Sequence, residues 1–118
     1  MQPIVYYHPR CSTCARALRW LDGQAIDVCR RDLLNEPPTE DELSEWVARS
    51  TQPLARFFNT SGRLYRELNL KARLVSATAE ETLRILASDP MLLRRPLLVA
   101  DGGVYPGFRE AEWLQILK

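Results

Sequence analysis

The first thirty residues join an apolar strand, a helix with one apolar face and a second strand. Residues Ile4–Tyr7 predict a short buried strand. The next apolar side chains recur at the i, i+3, i+4, i+7 spacing of one helix face, at Cys14, Ala17, Leu18 and Leu21. This helix is expected to stop at Gly23, and residues 26–31 predict the second strand. Such a βαβ unit makes its two strands parallel.

The middle of the chain, from about residue 39 to about residue 90, is predicted to be helical. Thr39 with Glu42 matches the capping-box pattern, in which the threonine and the glutamate satisfy each other's backbone N–H groups. Thr78 with Glu81 repeats this pattern later in the segment. An apolar run follows each box, so each marks the start of an amphipathic helix.

The C-terminal part returns to strand and ends in a helix. Residues Leu97–Ala100 predict a buried strand, and Asp101-Gly102-Gly103 predicts a hairpin turn before a strand at Val104-Tyr105. A last helix is expected to bury Trp113. The order is β-α-β, several helices, then β-β-α. This order predicts an α/β, thioredoxin-like fold with a four-stranded mixed sheet covered by helices.

Length and charge favour one small domain. The 118 residues are expected to form a single domain, residues 1–118, with the helical insertion at about 39–90. The formal net charge of +1 indicates no long-range attraction to nucleic acid or to an anionic membrane. No apolar run approaches the roughly 20 residues that span a bilayer, and no signal peptide is recognisable. We expect a cytoplasmic monomer with no direct nucleic-acid or membrane partner.

The segment Cys11-Ser12-Thr13-Cys14 predicts redox chemistry. Cys11 lies where the first strand meets the first helix, so it faces unpaired backbone N–H groups and the positive end of the helix dipole. Both stabilise a thiolate, and the neighbouring Arg10 adds a positive charge. Cys14 lies one turn later on the apolar face and is expected to be more buried. Cys11 is thus the predicted nucleophile and Cys14 the resolving thiol.

Other interpretations of the cysteines stay open at this point. His8, Cys11, Cys14 and Cys29 have the donor types of a zinc site, although a second Cys-x-x-Cys is absent from the sequence. The two cysteines of the dithiol can also be packed thiols without a redox role. Cys29 alternates along the second strand and is expected to be a buried core thiol. His8 either influences Cys11 or makes ordinary loop hydrogen bonds.

Three segments in order resemble the arsenate reductase family of the glutaredoxin-coupled type, which also contains the Spx-type regulators. They are YYHPRCSTC at 6–14, FNTSGRLYREL at 58–68 and LLRRPLLV at 92–99. The resemblance implies a thioredoxin fold in which Cys11 is the redox nucleophile. It also implies that Arg95-Pro96 lies beside Cys11 with the proline peptide in cis. Arg95 has a guanidinium fork suited to an oxyanion or a thiolate, and the alternative is a solvated arginine before a trans proline.

The chain departs from the family pattern at the anion site. The resemblance implies three arginines that bind the arsenate oxyanion, and only Arg95 matches one of them. Asn59 and Phe108 stand at the other two positions, while Arg63 and Arg109 are near in sequence but out of register. We therefore expect dithiol chemistry to be retained and arsenate turnover to be weak.

Two functions follow from the residues and the resemblance. The first is a thiol–disulfide oxidoreductase with no bound cofactor, reduced by glutathione, glutaredoxin or thioredoxin. The second is an Spx-type redox sensor that binds the C-terminal domain of the RNA polymerase α subunit. In either case Cys11, Cys14 and Arg95 are the predicted reactive residues. Supporting roles are predicted for His8, Arg10, Asn59 and Pro96.

Overall fold

The strand β1 (Ile4–Tyr7) lies inside a four-stranded sheet and has a hydrogen-bonded neighbour on each side. The computed structural model describes residues 2–118. Its further elements are α1 (Ser12–Gly23), β2 (Cys29–Asp32), α2 (Glu40–Arg49), α3 (Arg63–Glu67), α4 (Leu70–Arg73), α5 (Ala79–Ala87), β3 (Leu97–Ala100), β4 (Gly103–Pro106) and α6 (Glu110–Leu117). Short 3₁₀ helices span Leu54–Phe57 and Pro90–Leu92. None of the described helices is long and apolar enough to cross a membrane.

The strand order is β2-β1-β3-β4. β1 pairs with β2 in parallel and with β3 antiparallel, and β3 forms an antiparallel hairpin with β4. The predicted βαβ unit and the predicted terminal hairpin therefore meet at β1. The expected mixed sheet covered by helices is confirmed.

Successive side chains of β1 enter two different cores, as the alternation of a strand requires. Val5 packs with α1 and α6 in a core whose other buried members are Ala17, Leu21, Val28, Leu98, Tyr105 and Trp113. Tyr6 enters the core on the other face, beneath the helices that lie between β2 and β3. The large buried side chains of that second core include Trp46, Phe57, Phe58, Leu33, Leu43, Leu70, Leu86, Leu92 and Leu97. Both faces of the sheet are covered.

Both predicted capping boxes are present. Thr39 Oγ1 accepts a hydrogen bond from the backbone N–H of Glu42 at 3.1 Å, and Glu42 Oε1 accepts one from the N–H of Thr39 at 3.0 Å. Thr78 and Glu81 form the same reciprocal pair at the start of α5. Each box satisfies two N–H groups that the first turn of a helix leaves unpaired.

The second strand begins later than the sequence pattern predicts. A turn at residues 24–25 follows α1, residues 26–28 form an irregular connection, and β2 starts at Cys29. Ala25 adopts a left-handed backbone conformation with φ of 55°, and the N–H of Ile26 donates to the carbonyl of Leu21 at 3.1 Å. These interactions close the helix before the chain reaches the sheet. Alternating apolar residues cannot reveal where such a turn ends.

Trp113 connects the core to the loop after β4. Its ring is fully buried, and its Nε1–H donates to the carbonyl of Gly107 at 2.9 Å. The ring also meets Phe108 edge-on, with 5.0 Å between the ring centroids. Gly107 and Phe108 border a cleft beside Cys11, so this buried indole holds one wall of that cleft in place.

We expect the substitution Trp113→Phe to lower the free energy of unfolding by about 2 kcal/mol, because it removes buried volume and leaves the Gly107 carbonyl without its donor. Urea denaturation at neutral pH measures this loss. Trp20→Phe is the matched control, since the half-buried Trp20 packs on the same cluster without donating a hydrogen bond within the described residues. Equal losses for the two variants would contradict a specific role for the Trp113 hydrogen bond.

Candidate active site

Cys11 caps the N-terminus of α1. Its backbone is extended, and its Sγ accepts a hydrogen bond from the backbone N–H of Cys14 at 3.3 Å. The N–H of Cys11 donates to the carbonyl of His8 at 3.1 Å, which closes the turn between β1 and the helix. The side chain is half-buried, so its sulfur is both held by the helix and open to solvent. A negative charge on this sulfur would be stabilised by the N–H donor and by the helix dipole.

Cys14 is the buried member of the dithiol. Only 1% of its surface is exposed, because it lies on the inward face of α1. Burial raises the pKa of the Cys14 thiol to about 12, and the neighbouring Cys11 thiol adds to this effect. A hydrogen bond from the backbone of His8 and the charge of Arg95 act in the opposite direction. Cys14 is therefore a neutral thiol at neutral pH, and both cysteines are free in this structure.

A cleft of about 380 Å³ opens beside Cys11. Its walls come from four separate parts of the chain: the start of α1, the turn at 59–61, the loop before β3 and the loop after β4. The lining residues are Cys11, Thr13, Asn59, Ser61, Arg94, Arg95, Gly107 and Phe108. The fold thus gathers at one thiol all three segments on which the family resemblance depends, together with Gly107-Phe108.

Arg95 and Pro96 lie beside the dithiol, as the resemblance implies. The Arg95–Pro96 peptide is cis, and Pro96 is buried at the start of β3. The guanidinium of Arg95 is half-exposed and donates from Nη1 to the carbonyl of Met91 at 3.3 Å. Burial is the largest influence on both neighbouring groups: it raises the pKa of Cys14 and lowers the pKa of His8. The positive charge of Arg95 lowers both pKa values. Arg95 therefore acts electrostatically on the site.

Asn59 and Phe108 border the cleft at the two positions where the family pattern has arginines. The backbone N–H of Asn59 donates to the carbonyl of Leu92 at 2.8 Å, which fastens this turn to the segment before Arg95. Arg63 and Arg109 do not line the cleft. Arg63 instead lines a neighbouring cavity together with Asn59 and Arg95. The departures seen in the sequence are thus departures in the cleft itself.

His8 acts on the dithiol through its backbone. Its Nδ1 accepts a hydrogen bond from the N–H of Arg10 at 3.0 Å, the pattern of an ordinary loop histidine. Burial, and then the positive charge of Arg95, lower the pKa of His8, while Asp32 opposes them. The imidazole is therefore neutral at neutral pH. The Arg10 side chain is exposed.

Cys29 stands apart from the dithiol. It lies on β2 at the edge of the sheet and is half-buried, so the expected fully buried core thiol is wrong. An edge strand has a neighbour on one side only, and the sequence alone does not show which strand is at the edge. Within residues 2–118 no three of the His, Cys, Asp and Glu side chains converge as metal ligands. The four candidate zinc ligands are thus not assembled in this fold.

Arg94 is the site residue that the sequence argument missed. It lines the Cys11 cleft, and its Nε–H donates to the carbonyl of Arg56 at 2.7 Å. In the sequence Arg94 only precedes Arg95, and the family resemblance singled out Arg95 alone. Both side chains line the cleft in the folded protein.

A parallel βαβ unit, a terminal hairpin and a dithiol at the start of the first helix define a thioredoxin-like protein. Residues 6–116 match the family model described as the ArsC family, and the chain belongs to this family. Uncharacterized protein YusI of Bacillus subtilis is 40% identical over 113 residues, covering 96% of each chain. The regulatory protein MgsR of the same organism is 31% identical over 117 residues, covering 99% of this chain and 91% of MgsR.

Spx-type proteins and solved structures give the same assignment. The global transcriptional regulator Spx of Bacillus subtilis is 25% identical over 108 residues, covering 92% of this chain and 81% of Spx. The crystal structure of an ArsC family related protein from Bacteroides fragilis matches with a TM-score of 0.94 and 38% identity, covering 98% of this chain and 99% of that one. A possible arsenate reductase from Streptococcus mutans matches with a TM-score of 0.86 and 41% identity, covering 96% and 97%.

The raised pKa of Cys14 makes the stability of the protein fall in alkaline solution. Above about pH 8.5 the unfolded chain ionises this thiol while the folded protein keeps the proton, so unfolding is favoured as pH rises toward the folded pKa. Between pH 7 and pH 10 we expect the wild type to lose about 2 kcal/mol more than the Cys14→Ser variant. Urea denaturation of the reduced proteins measures this difference.

Cys29→Ser is the control for that experiment. It also removes one thiol, but it leaves the buried Cys14 in place and should keep the alkaline loss. If Cys14→Ser and the wild type lost stability in parallel between pH 7 and pH 10, Cys14 would not be a thiol of raised pKa.

Proposed function

We propose that this chain is a thiol–disulfide oxidoreductase of the ArsC family in which Cys11 attacks a disulfide and Cys14 resolves the intermediate. One observation carries the proposal: the half-exposed Cys11 opens into a cleft, while Cys14 is buried one turn away and donates its backbone N–H to Cys11 Sγ. This division exposes one sulfur to an incoming disulfide and keeps the other buried and protonated. An attacking thiol and a resolving thiol need such a difference.

The reaction balances with two thiols and one disulfide. The Cys11 thiolate attacks one sulfur of the substrate disulfide, forms a mixed disulfide and releases the first substrate thiolate. Cys14 then gives up its proton and attacks Cys11 Sγ, which releases the second thiolate and closes the Cys11–Cys14 disulfide. The protein dithiol loses two electrons and two protons, and the substrate gains them as two thiols.

Arg95 is proposed as the third reactive residue. Its positive charge lies close enough to influence Cys14 and His8, so it also favours negative charge developing on the sulfurs during exchange. Pro96 and Asn59 are proposed to position this cation, since one follows Arg95 directly and the other is hydrogen-bonded to the segment before it. His8 and Arg10 are proposed to support the turn that holds Cys11.

The proposal requires a reductant and no bound cofactor. Glutathione, glutaredoxin or thioredoxin would reduce the Cys11–Cys14 disulfide by the reverse exchange. We propose that the protein acts in the cytoplasm as a monomer, with residues 1–118 forming one domain. In this arrangement the helical insertion at about 39–90 contributes Asn59 to the cleft.

A regulatory function is the second candidate, because the similar proteins MgsR and Spx are named as regulators. In this alternative the same dithiol is a sensor, and its oxidation changes binding to the C-terminal domain of the RNA polymerase α subunit. A complex with that domain whose affinity differs between reduced and oxidised protein would favour the sensor. Disulfide turnover without such a complex would favour the oxidoreductase.

The two cysteines should have separable roles in exchange. At pH 7 we expect iodoacetamide to alkylate Cys11 at least about tenfold faster than Cys14, because Cys14 is buried and protonated. With a small disulfide, Cys14→Ser should accumulate a mixed disulfide on Cys11, and Cys11→Ser should show no exchange. Mass spectrometry of peptides resolves each adduct.

Cys29→Ser serves as the control and should exchange like the wild type. Alkylation of Cys14 before Cys11, or a disulfide that joins Cys11 to Cys29, would contradict the proposed mechanism. In a pull-down, Cys14→Ser should also trap the protein partner whose disulfide Cys11 attacks.

Arsenate should be a poor substrate. Asn59 and Phe108 replace two of the three arginines that the family pattern uses for the oxyanion, and both of them border the cleft. We expect weak or absent arsenate-dependent NADPH consumption in an assay coupled through glutathione and glutaredoxin. Saturable turnover with arsenate would show that the remaining cations, among them Arg94, are sufficient for this anion.

A further inference from the structure

A second, smaller cavity of about 180 Å³ adjoins the Cys11 cleft. The two share Arg94, Gly107 and Phe108, so an elongated molecule can occupy both. The remaining residues that line the small cavity are Arg56, Tyr105, Pro106 and Arg109. Three guanidinium-bearing residues thus surround a space large enough for a carboxylate and a few methylene groups. We call it the arginine pocket.

The arginine pocket concentrates positive charge without a compensating acid. Arg94 is half-buried and is held against Arg56 by the hydrogen bond from its Nε to the Arg56 carbonyl. Burial, followed by the charge of Arg56, lowers the pKa of Arg94. Within residues 2–118 no ion pair joins a carboxylate to Arg56, Arg94 or Arg109, whereas four arginines elsewhere have such partners. A bound anion would offset this repulsion.

Tyr105 adds a hydroxyl group to the arginine pocket. The residue is only 3% exposed, and its hydroxyl makes no hydrogen bond to the described part of the protein. Tyr105 lines the pocket close to Arg94 and partly opposes the lowering of the Arg94 pKa by burial and by Arg56. A hydroxyl beside guanidinium forks suits the two oxygens of a carboxylate.

We propose that the arginine pocket binds a carboxylate of the small thiol or disulfide that exchanges with Cys11. The inference rests on the proposed oxidoreductase function and specifies its substrate class as carboxylate-bearing. Because the pocket opens into the Cys11 cleft through Arg94, Gly107 and Phe108, an anchored carboxylate leaves the sulfur end of the molecule in that cleft. Phe108 borders both spaces, so it lies where the methylene groups between the carboxylate and the sulfur would pass. An inorganic anion would occupy the arginine pocket alone and would not extend into the Cys11 cleft.

Paired disulfides test the proposal. Reduced protein is mixed at constant ionic strength with 3,3′-dithiodipropionate, which has two carboxylates, or with bis(2-hydroxyethyl) disulfide, which has none. Mass spectrometry follows the appearance of the Cys11–Cys14 disulfide. The measured quantity is the rate with 3,3′-dithiodipropionate divided by the rate with bis(2-hydroxyethyl) disulfide. Comparing this ratio between variants cancels the intrinsic reactivities of the two disulfides.

We expect Arg56→Gln and Arg109→Gln each to lower this ratio by about tenfold, the value of one charge-assisted hydrogen bond. Both residues are exposed and line the arginine pocket but not the cleft, so the variants should fold. Arg84→Gln, on the exposed face of α5, changes the net charge equally and should leave the ratio unchanged. Exchange with bis(2-hydroxyethyl) disulfide but equal ratios in all four proteins would overturn the inference and leave the proposed function intact.

A binding measurement tests the pocket without redox chemistry. Adipate has the two carboxylates of a short dicarboxylic acid and no sulfur, and its binding is followed by chemical-shift changes at Arg94 and Tyr105. We expect wild type and Arg84→Gln to bind adipate and Arg56→Gln to bind it about tenfold more weakly. Binding of inorganic phosphate but not of adipate would overturn the carboxylate assignment. Adipate binding without any disulfide exchange would support the pocket and reject the oxidoreductase.

Discussion

The structure depends on β1 being paired on both sides. Its parallel neighbour β2 follows in the N-terminal part of the chain, whereas its antiparallel neighbour β3 belongs to the C-terminal part. Pairing with β1 therefore joins the two parts in one sheet. The alternating side chains Val5 and Tyr6 enter the two cores. The end of the same strand leads into Cys11. One central strand thus determines both where the cores lie and where the nucleophile emerges.

The chemistry of the dithiol follows from one turn of helix. Cys11 and Cys14 are three residues apart, which places the first at the N-cap and the second on the inward face of α1. The same helix therefore holds one sulfur at the solvent boundary and the other in the core, where burial keeps it protonated. Two identical side chains become chemically unequal through position alone.

The arginines show how a nearly neutral protein can have a strongly charged site. The net charge is only +1, yet Arg94 and Arg95 both reach the Cys11 cleft, and Arg56 and Arg109 surround the adjoining arginine pocket. Acidic side chains pair with cations elsewhere on the surface. Local potential depends on where charges are placed, and net charge does not report it.

Local sequence patterns were enough to predict the βαβ start, both capping boxes, the terminal hairpin and the position of Cys11, because each depends on residues close together in the chain. It also identified Arg95, Pro96, Asn59 and Phe108, although only through family resemblance. The start of β2, the half-buried edge position of Cys29 and the convergence of Arg94 with Arg56 and Arg109 became evident only in the folded chain. These features depend on contacts between distant segments, and no local pattern encodes the contact between the Arg94 side chain and the backbone of Arg56, 38 residues away.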